Sequence, residues 1–86
     1  MRVQMFYREN TDYARAVIDF LRDFEHQTGH KLETFNPDTI RGEQLCSAYD
    51  IVEYPTILVT SDDGAMLKIW NGLPLPTIMD LSYYVQ

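Results

Sequence analysis

The spacing of hydrophobic positions changes several times along this chain, and each change marks an element. Val3-Gln4-Met5-Phe6-Tyr7 is short, apolar and β-prone, which predicts a strand starting at Arg2 or Val3. Ala14, Val17, Ile18, Leu21 and Phe24 then recur at helical spacing, with Arg15, Asp19, Arg22 and Asp23 on the opposite face. Asn10-Thr11-Asp12 offers N-capping side chains and an acidic first turn, with Thr11 the expected cap, and Gly29 closes the helix. Leu32 to Phe35 reads as a second strand, with Leu32 and Thr34 facing one way and Glu33 and Phe35 the other. After the turn Asn36-Pro37-Asp38-Thr39, a second helix over Ile40 to Tyr49 is expected to bury Ile40, Leu45, Ala48 and Tyr49, although Gly42 weakens it.

A proline then heads the most apolar run of the chain. Pro55 has no N–H to give to a sheet ladder, so it belongs at the start of a strand, and Thr56 to Val59 reads as a short strand buried on both faces. Ser61-Asp62-Asp63-Gly64 is a hairpin turn, and Met66 to Trp70 returns as a fourth strand. Asn71-Gly72-Leu73-Pro74-Leu75-Pro76 interrupts the chain before a last amphipathic helix, Thr77 to Tyr84, carrying Ile78, Leu81 and Tyr84. The order β-α-β-α-β-β-α predicts an α/β domain over residues 1–86. Its first two strands are parallel through a right-handed crossover and its last two antiparallel, in a mixed four-stranded sheet with helices on both faces.

Composition narrows the classes of partner. The 86 residues are 45% hydrophobic and 13% aromatic, which suits one packed core. A net charge of −6 argues against nucleic acid or an anionic membrane as the main partner, since both reward surplus Lys and Arg. No apolar run approaches the roughly 18 residues of a membrane span. The early first strand leaves no room for a signal peptide, and the single Cys46 has no intramolecular disulfide partner, so the cytoplasm is the expected location.

This element order, with Tyr54-Pro55-Thr56 ahead of Ile57-Leu58-Val59, resembles the thioredoxin fold in its small, glutaredoxin-sized form. The resemblance spans nearly the whole chain, and it implies a cis peptide at Tyr54–Pro55, a state found in only about 5–6% of X–Pro bonds. It also implies that Asn10-Thr11-Asp12-Tyr13-Ala14 occupies the place of the family's Asn-Cys-Pro-Tyr-Cys, with Thr11 at the nucleophilic cysteine and Ala14 at its resolving partner. Disulfide exchange needs a thiolate, and a threonine hydroxyl is far too weak an acid and forms no mixed disulfide. Dithiol chemistry at this position is therefore excluded by residue type, and Glu9 and Asp12 add negative charge where a thiolate or anionic glutathione favours the opposite.

Glutathione is the one cofactor the resemblance raises, and the residues match it poorly. Arg8 stands near the family's basic residue, but Asn71-Gly72-Leu73-Pro74 supplies one Gly and no carboxylate at the family's offset, and Asp80 is too far on. No cofactor is expected. What the resemblance leaves is a peptide-docking groove formed by Arg8, Thr11, Tyr13, Tyr54, Pro55 and Thr56, with Tyr13 and Tyr54 as its flanking aromatics.

Other candidates have plainer readings. Cys46 falls within the second helix, away from a helix N-terminus, and reads as core filler, with a redox thiol as the alternative. His26 and His30 are spaced as a metal pair, but Gly29 ends the helix between them, so no metal site is expected. Asp62-Asp63-Gly64 lacks the further oxygen ligands of a calcium loop. Tyr83 and Tyr84 read as docking the final helix.

Three functions compete. The leading one is a redox-inactive module binding a protein or peptide in the groove. The second is a thiol oxidoreductase or glutathione-binding protein working through Cys46. The third, a structural subunit that self-associates, rests on chain size and aromatic surplus alone; the chain is expected to be a monomer or weak homodimer.

Overall fold

The computed structural model describes residues 1–85. The elements run β1 (Arg2–Phe6), α1 (Ala14–Thr28), β2 (Glu33–Phe35), α2 (Ile40–Ala48), β3 (Thr56–Thr60), β4 (Met66–Asn71) and α3 (Ile78–Ser82). Strand order is β2-β1-β3-β4. β1 pairs parallel with β2, and antiparallel with β3, which pairs antiparallel with β4. The bulge between Val59 and Thr60 leaves Leu67 without an opposite residue.

Two-residue periodicity divides the core. Val3 and Met5 of β1 and Ile57 and Val59 of β3 join Val17 and Phe24 of α1, Leu81 of α3, and Leu32 just ahead of β2 in one cluster. The intervening Phe6 and Leu58 face the other way, onto Cys46 of α2 and Ile51. β3 is buried along its whole length, as expected for a central strand sandwiched between helices. Each fully buried Phe, Leu or Ile contributes about 1.5–3 kcal/mol by leaving water. Phe6 also stacks on Phe35 across the β1–β2 pair, with ring centroids 5.4 Å apart.

Helix α1 ends as expected: Gly29 takes φ 77°, and its N–H donates to the Glu25 carbonyl at 2.8 Å. Its start differs. The N-cap is Tyr13, with no side-chain cap, and Thr11 lies outside the helix. Ile18 is 44% exposed, because α1 turns Ala14, Val17 and Phe24 inward and Ile18 falls at the edge of that stripe.

Helix α2 departs furthest from its expected face. Ile40 is 80% exposed and Ala48 is also exposed, while Gly42 and Cys46 are the buried positions. The reason is the close approach of the preceding turn: a Cβ on Gly42 would lie 1.9 Å from the Asn36 carbonyl oxygen. Only glycine allows α2 to press that side against the loop, and this sets the rotation of the whole helix. Thr39 caps α2, its hydroxyl oxygen accepting from Gly42 N–H at 3.0 Å. The last helix is shorter than its apolar spacing predicted. It spans five residues, with Thr77 accepting from Asp80 N–H at 3.1 Å.

Candidate functional site

Strand directions gather four loops at one end of the sheet. Phe6, the last residue of β1, is opposite both Phe35, the last of parallel β2, and Thr56, the first of antiparallel β3; Thr56 in turn faces Asn71, the last of β4. The segments 7–13, 36–39, 53–55 and 72–77 therefore emerge together. Arg8, Thr11, Tyr13, Tyr54 and Pro55 all lie on these loops, and Thr56 opens β3 beside them.

Arg8 is the hub. Its Nε and Nη2 donate to the two carboxylate oxygens of Asp38 at 2.9 and 3.0 Å, a bidentate pair linking the first loop to the second. The same guanidinium sits 4.7 Å from the centroid of the Tyr54 ring, linking both to the third. Its backbone N–H donates to the Tyr13 hydroxyl at 3.0 Å, and its carbonyl accepts from the Thr11 hydroxyl at 2.8 Å. The hydrogen bond from Arg8 holds the Asp38 carboxyl below its ordinary range.

The third loop is tied down separately. The Tyr54–Pro55 peptide is cis and Pro55 is buried. Pro55 carbonyl accepts from Gly72 N–H at 2.8 Å, and the Thr56 hydroxyl donates to Glu53 carbonyl at 2.5 Å. Tyr54 is half-buried, packs on the Phe6–Cys46–Leu58 cluster and donates its hydroxyl to Ile51 carbonyl at 3.3 Å. Burial, followed by the neighbouring Cys46, pushes its ionisation up to about 12.

Thr11 and Ala14, where the resemblance would place the two sulfurs, carry no thiol. Thr11 is half-buried with its hydroxyl committed to Arg8, and Ala14 is a buried methyl at the head of α1. Thr11 is therefore a loop staple and not the helix cap expected from sequence. Cys46 is 7% exposed, on the α2 side of the sheet against Phe6 and Ile51, where a thiol behaves as a small hydrophobe. His26 lies on α1 and His30 beyond its cap, and no group of three metal-ligating side chains forms among the described residues. No helix among them is long and apolar enough to cross a membrane.

Sequence reasoning missed Asp38, which it placed in a turn without a partner. The signal was in the topology: parallel β1 and β2 release their following loops at the same end, so a cation two residues past one and an acid three residues past the other become neighbours. It also missed the concave surface of about 410 Å³ beside β4, lined by Lys68, Trp70, Met79, Asp80, Tyr83 and Tyr84. Tyr84 packs against Trp70 as the docking role of the last helix requires, but Tyr83 is 67% exposed.

No protein-family model matches the chain, and no curated protein matches it. Solved structures do. Thioredoxin 1 from the thermophilic eubacterium Thermosipho africanus superposes with a TM-score of 0.67, covering 99% of this chain and 90% of that one at 10% identity. A malarial protein superposes with a TM-score of 0.65, covering 96% of this chain and 90% of that one at 15% identity. At such identities the likeness concerns the backbone, and it shows that the fold is thioredoxin-like.

Proposed function

We propose that this chain is a redox-inactive thioredoxin-like module that holds an extended segment of a protein partner across the loops carrying Arg8, Thr11, Tyr13, Tyr54, Pro55 and Thr56. One observation supports the reading above the rest. The two positions where the fold would present a dithiol hold a hydroxyl already bonded to Arg8 and a buried methyl, while the surrounding loops are braced by a bidentate ion pair and a cation–ring contact. A braced surface without a reactive group suits binding, because preorganised loops lose little entropy when a partner docks. Half-buried Tyr13 and Tyr54 offer ring area at small conformational cost. A lone buried thiol suits the reducing cytoplasm.

The test is chemical-shift mapping of the labelled chain with a library of extended peptides. Saturable shifts clustered on Arg8, Thr11, Tyr13, Tyr54 and Thr56 support the module. Shifts confined to other surfaces, or turnover of a small disulfide that disappears in Cys46→Ala, refute it in favour of the thiol-dependent reading.

A further inference from the structure

Among the described residues the sheet ends at β4, whose outer edge has no partner strand, and beside that edge lies a surface unrelated to the four loops. Lys68 and Trp70 are two residues apart on β4 and so share a face. Trp70 meets Tyr84 edge-to-face with centroids 5.8 Å apart, and Tyr84 meets Tyr83 the same way at 5.1 Å. These rings, with Met79 (82% exposed) and Asp80, border the concavity of about 410 Å³.

Three observations specify the charge of its occupant. The Lys68 ammonium already rests 5.5 Å from the Trp70 ring centroid, so the chain itself places a cation on this ring. Asp80, a lining residue, makes no ion pair among the described residues. The chain as a whole carries a net charge of −6, which draws cations and repels anions. The unpaired edge of β4 adds a geometry: an extended peptide lying along it would direct alternate side chains over the face that holds Lys68 and Trp70.

We propose that the Trp70–Tyr83–Tyr84 surface is a second binding site, for the basic side chain of an extended peptide lying along β4, with Asp80 as its counter-charge. The guest cation competes with Lys68 for the Trp70 ring. Lys68 thus acts as an internal placeholder, covering the ring when no guest is bound. The site does not depend on the function proposed for the loops.

Trp70 is the single tryptophan, so its fluorescence reports on this surface alone. The probe is a short β-prone peptide with one central arginine, compared with the same peptide carrying citrulline, the neutral isostere. The arginine peptide is expected to change Trp70 emission saturably and to bind roughly two- to five-fold more tightly than the citrulline form. Asp80→Asn should weaken it by a similar factor, and Lys68→Gln should tighten it by removing the competitor. Tyr83 is exposed enough that Tyr83→Ala leaves the core intact, and it should weaken binding as well. Equal binding of the two peptides, no saturable change with either, or weaker binding after Lys68→Gln would each overturn the proposal, the last pointing to an anionic guest. Emission that changes with protein concentration alone, matched by a dimer in sedimentation, would assign the surface to a second copy of the chain and also overturn it. Chemical shifts at Arg8 and Tyr54 in the same titration keep this outcome separate from that of the loop groove.

Discussion

The Arg8 guanidinium lies 4.7 Å from the centre of the Tyr54 ring while both carboxylate oxygens of Asp38 hold its edge. One side chain thereby joins loops that are 30 and 46 residues apart in the chain. It fixes the relative positions of the segment before α1 and the segment before β3, on which the proposed groove depends.

That linkage has a definite pH dependence. The Asp38 carboxyl is lowered by its hydrogen bond from Arg8, and that of Glu33 by its hydrogen bond from Arg2. A carboxyl lowered in the folded state stabilises it above the ordinary carboxylate pKa, and this contribution is lost as pH falls through the folded value. Both pairs are substantially exposed, so the effects are small and screened by salt. Asp38→Asn is expected to lower the urea midpoint slightly at pH 7 and to leave it unchanged once the pH is below the folded pKa of Asp38. A difference persisting at the acid end would show that Asp38 acts other than through its charge.

At alkaline pH Tyr54 governs. Its ionisation is pushed up to about 12, chiefly by burial, so the folded state favours the neutral phenol. That stabilisation is complete below the ordinary tyrosine value near 10 and is lost as pH rises through the folded value. Tyr54→Phe keeps the ring under Arg8 and should remove one late-titrating phenol from the ultraviolet titration. Tyr7 is also raised by burial and remains as an internal reference.

Gly42→Ala should behave opposite to helix propensity. In an exposed helix interior the change adds about 1 kcal/mol of stability. Here the new methyl meets the Asn36 carbonyl oxygen, which is backbone and has no rotamer to move away. A loss of about 2–4 kcal/mol is expected from chemical denaturation, with α2 displaced from the sheet. A stabilised variant would mean that α2 sits further from the turn.

Cys46 should be slow to alkylate in the native protein and fast in denaturant, because its access to solvent requires α2 to open. Cys46→Ala is expected to cost about 1 kcal/mol for the lost packing. Native labelling as fast as that of the unfolded chain would return the thiol-dependent reading to consideration.

Thr11→Cys with Ala14→Cys tests whether the backbone retains the placement of a dithiol. The N–H of Ala14 donates to the Thr11 carbonyl at 3.2 Å, a tight turn that brings the two positions within the span of a disulfide. The double variant is expected to form an intramolecular disulfide, read by mass and thiol counting. The native chain, lacking both sulfurs, is expected to leave a small disulfide substrate unreduced.

The local chemistry of the chain was enough to place its elements. Pro55 ahead of a β-branched run marked the start of the central strand to the residue, since a missing N–H has few places to go. Helical spacing marked α1 and Gly29 its end for the same reason, the cause lying within a few residues of the effect, while its start moved from the expected Thr11 cap to Tyr13. The absence of sulfur at Thr11 and Ala14 was equally plain. The buried face of α2 was not, because Ile40, Leu45 and Ala48 look like a core stripe until the Asn36 carbonyl is known to press on Gly42. The Arg8–Asp38 pair and the Trp70–Tyr84 contact likewise depend on which loops and edges the sheet brings together. Propensity, capping and chemical type act over one or two turns and are written in the order of residues. Helix rotation and partners thirty residues away are chosen by the packing of the finished sheet, which only the tertiary structure decides.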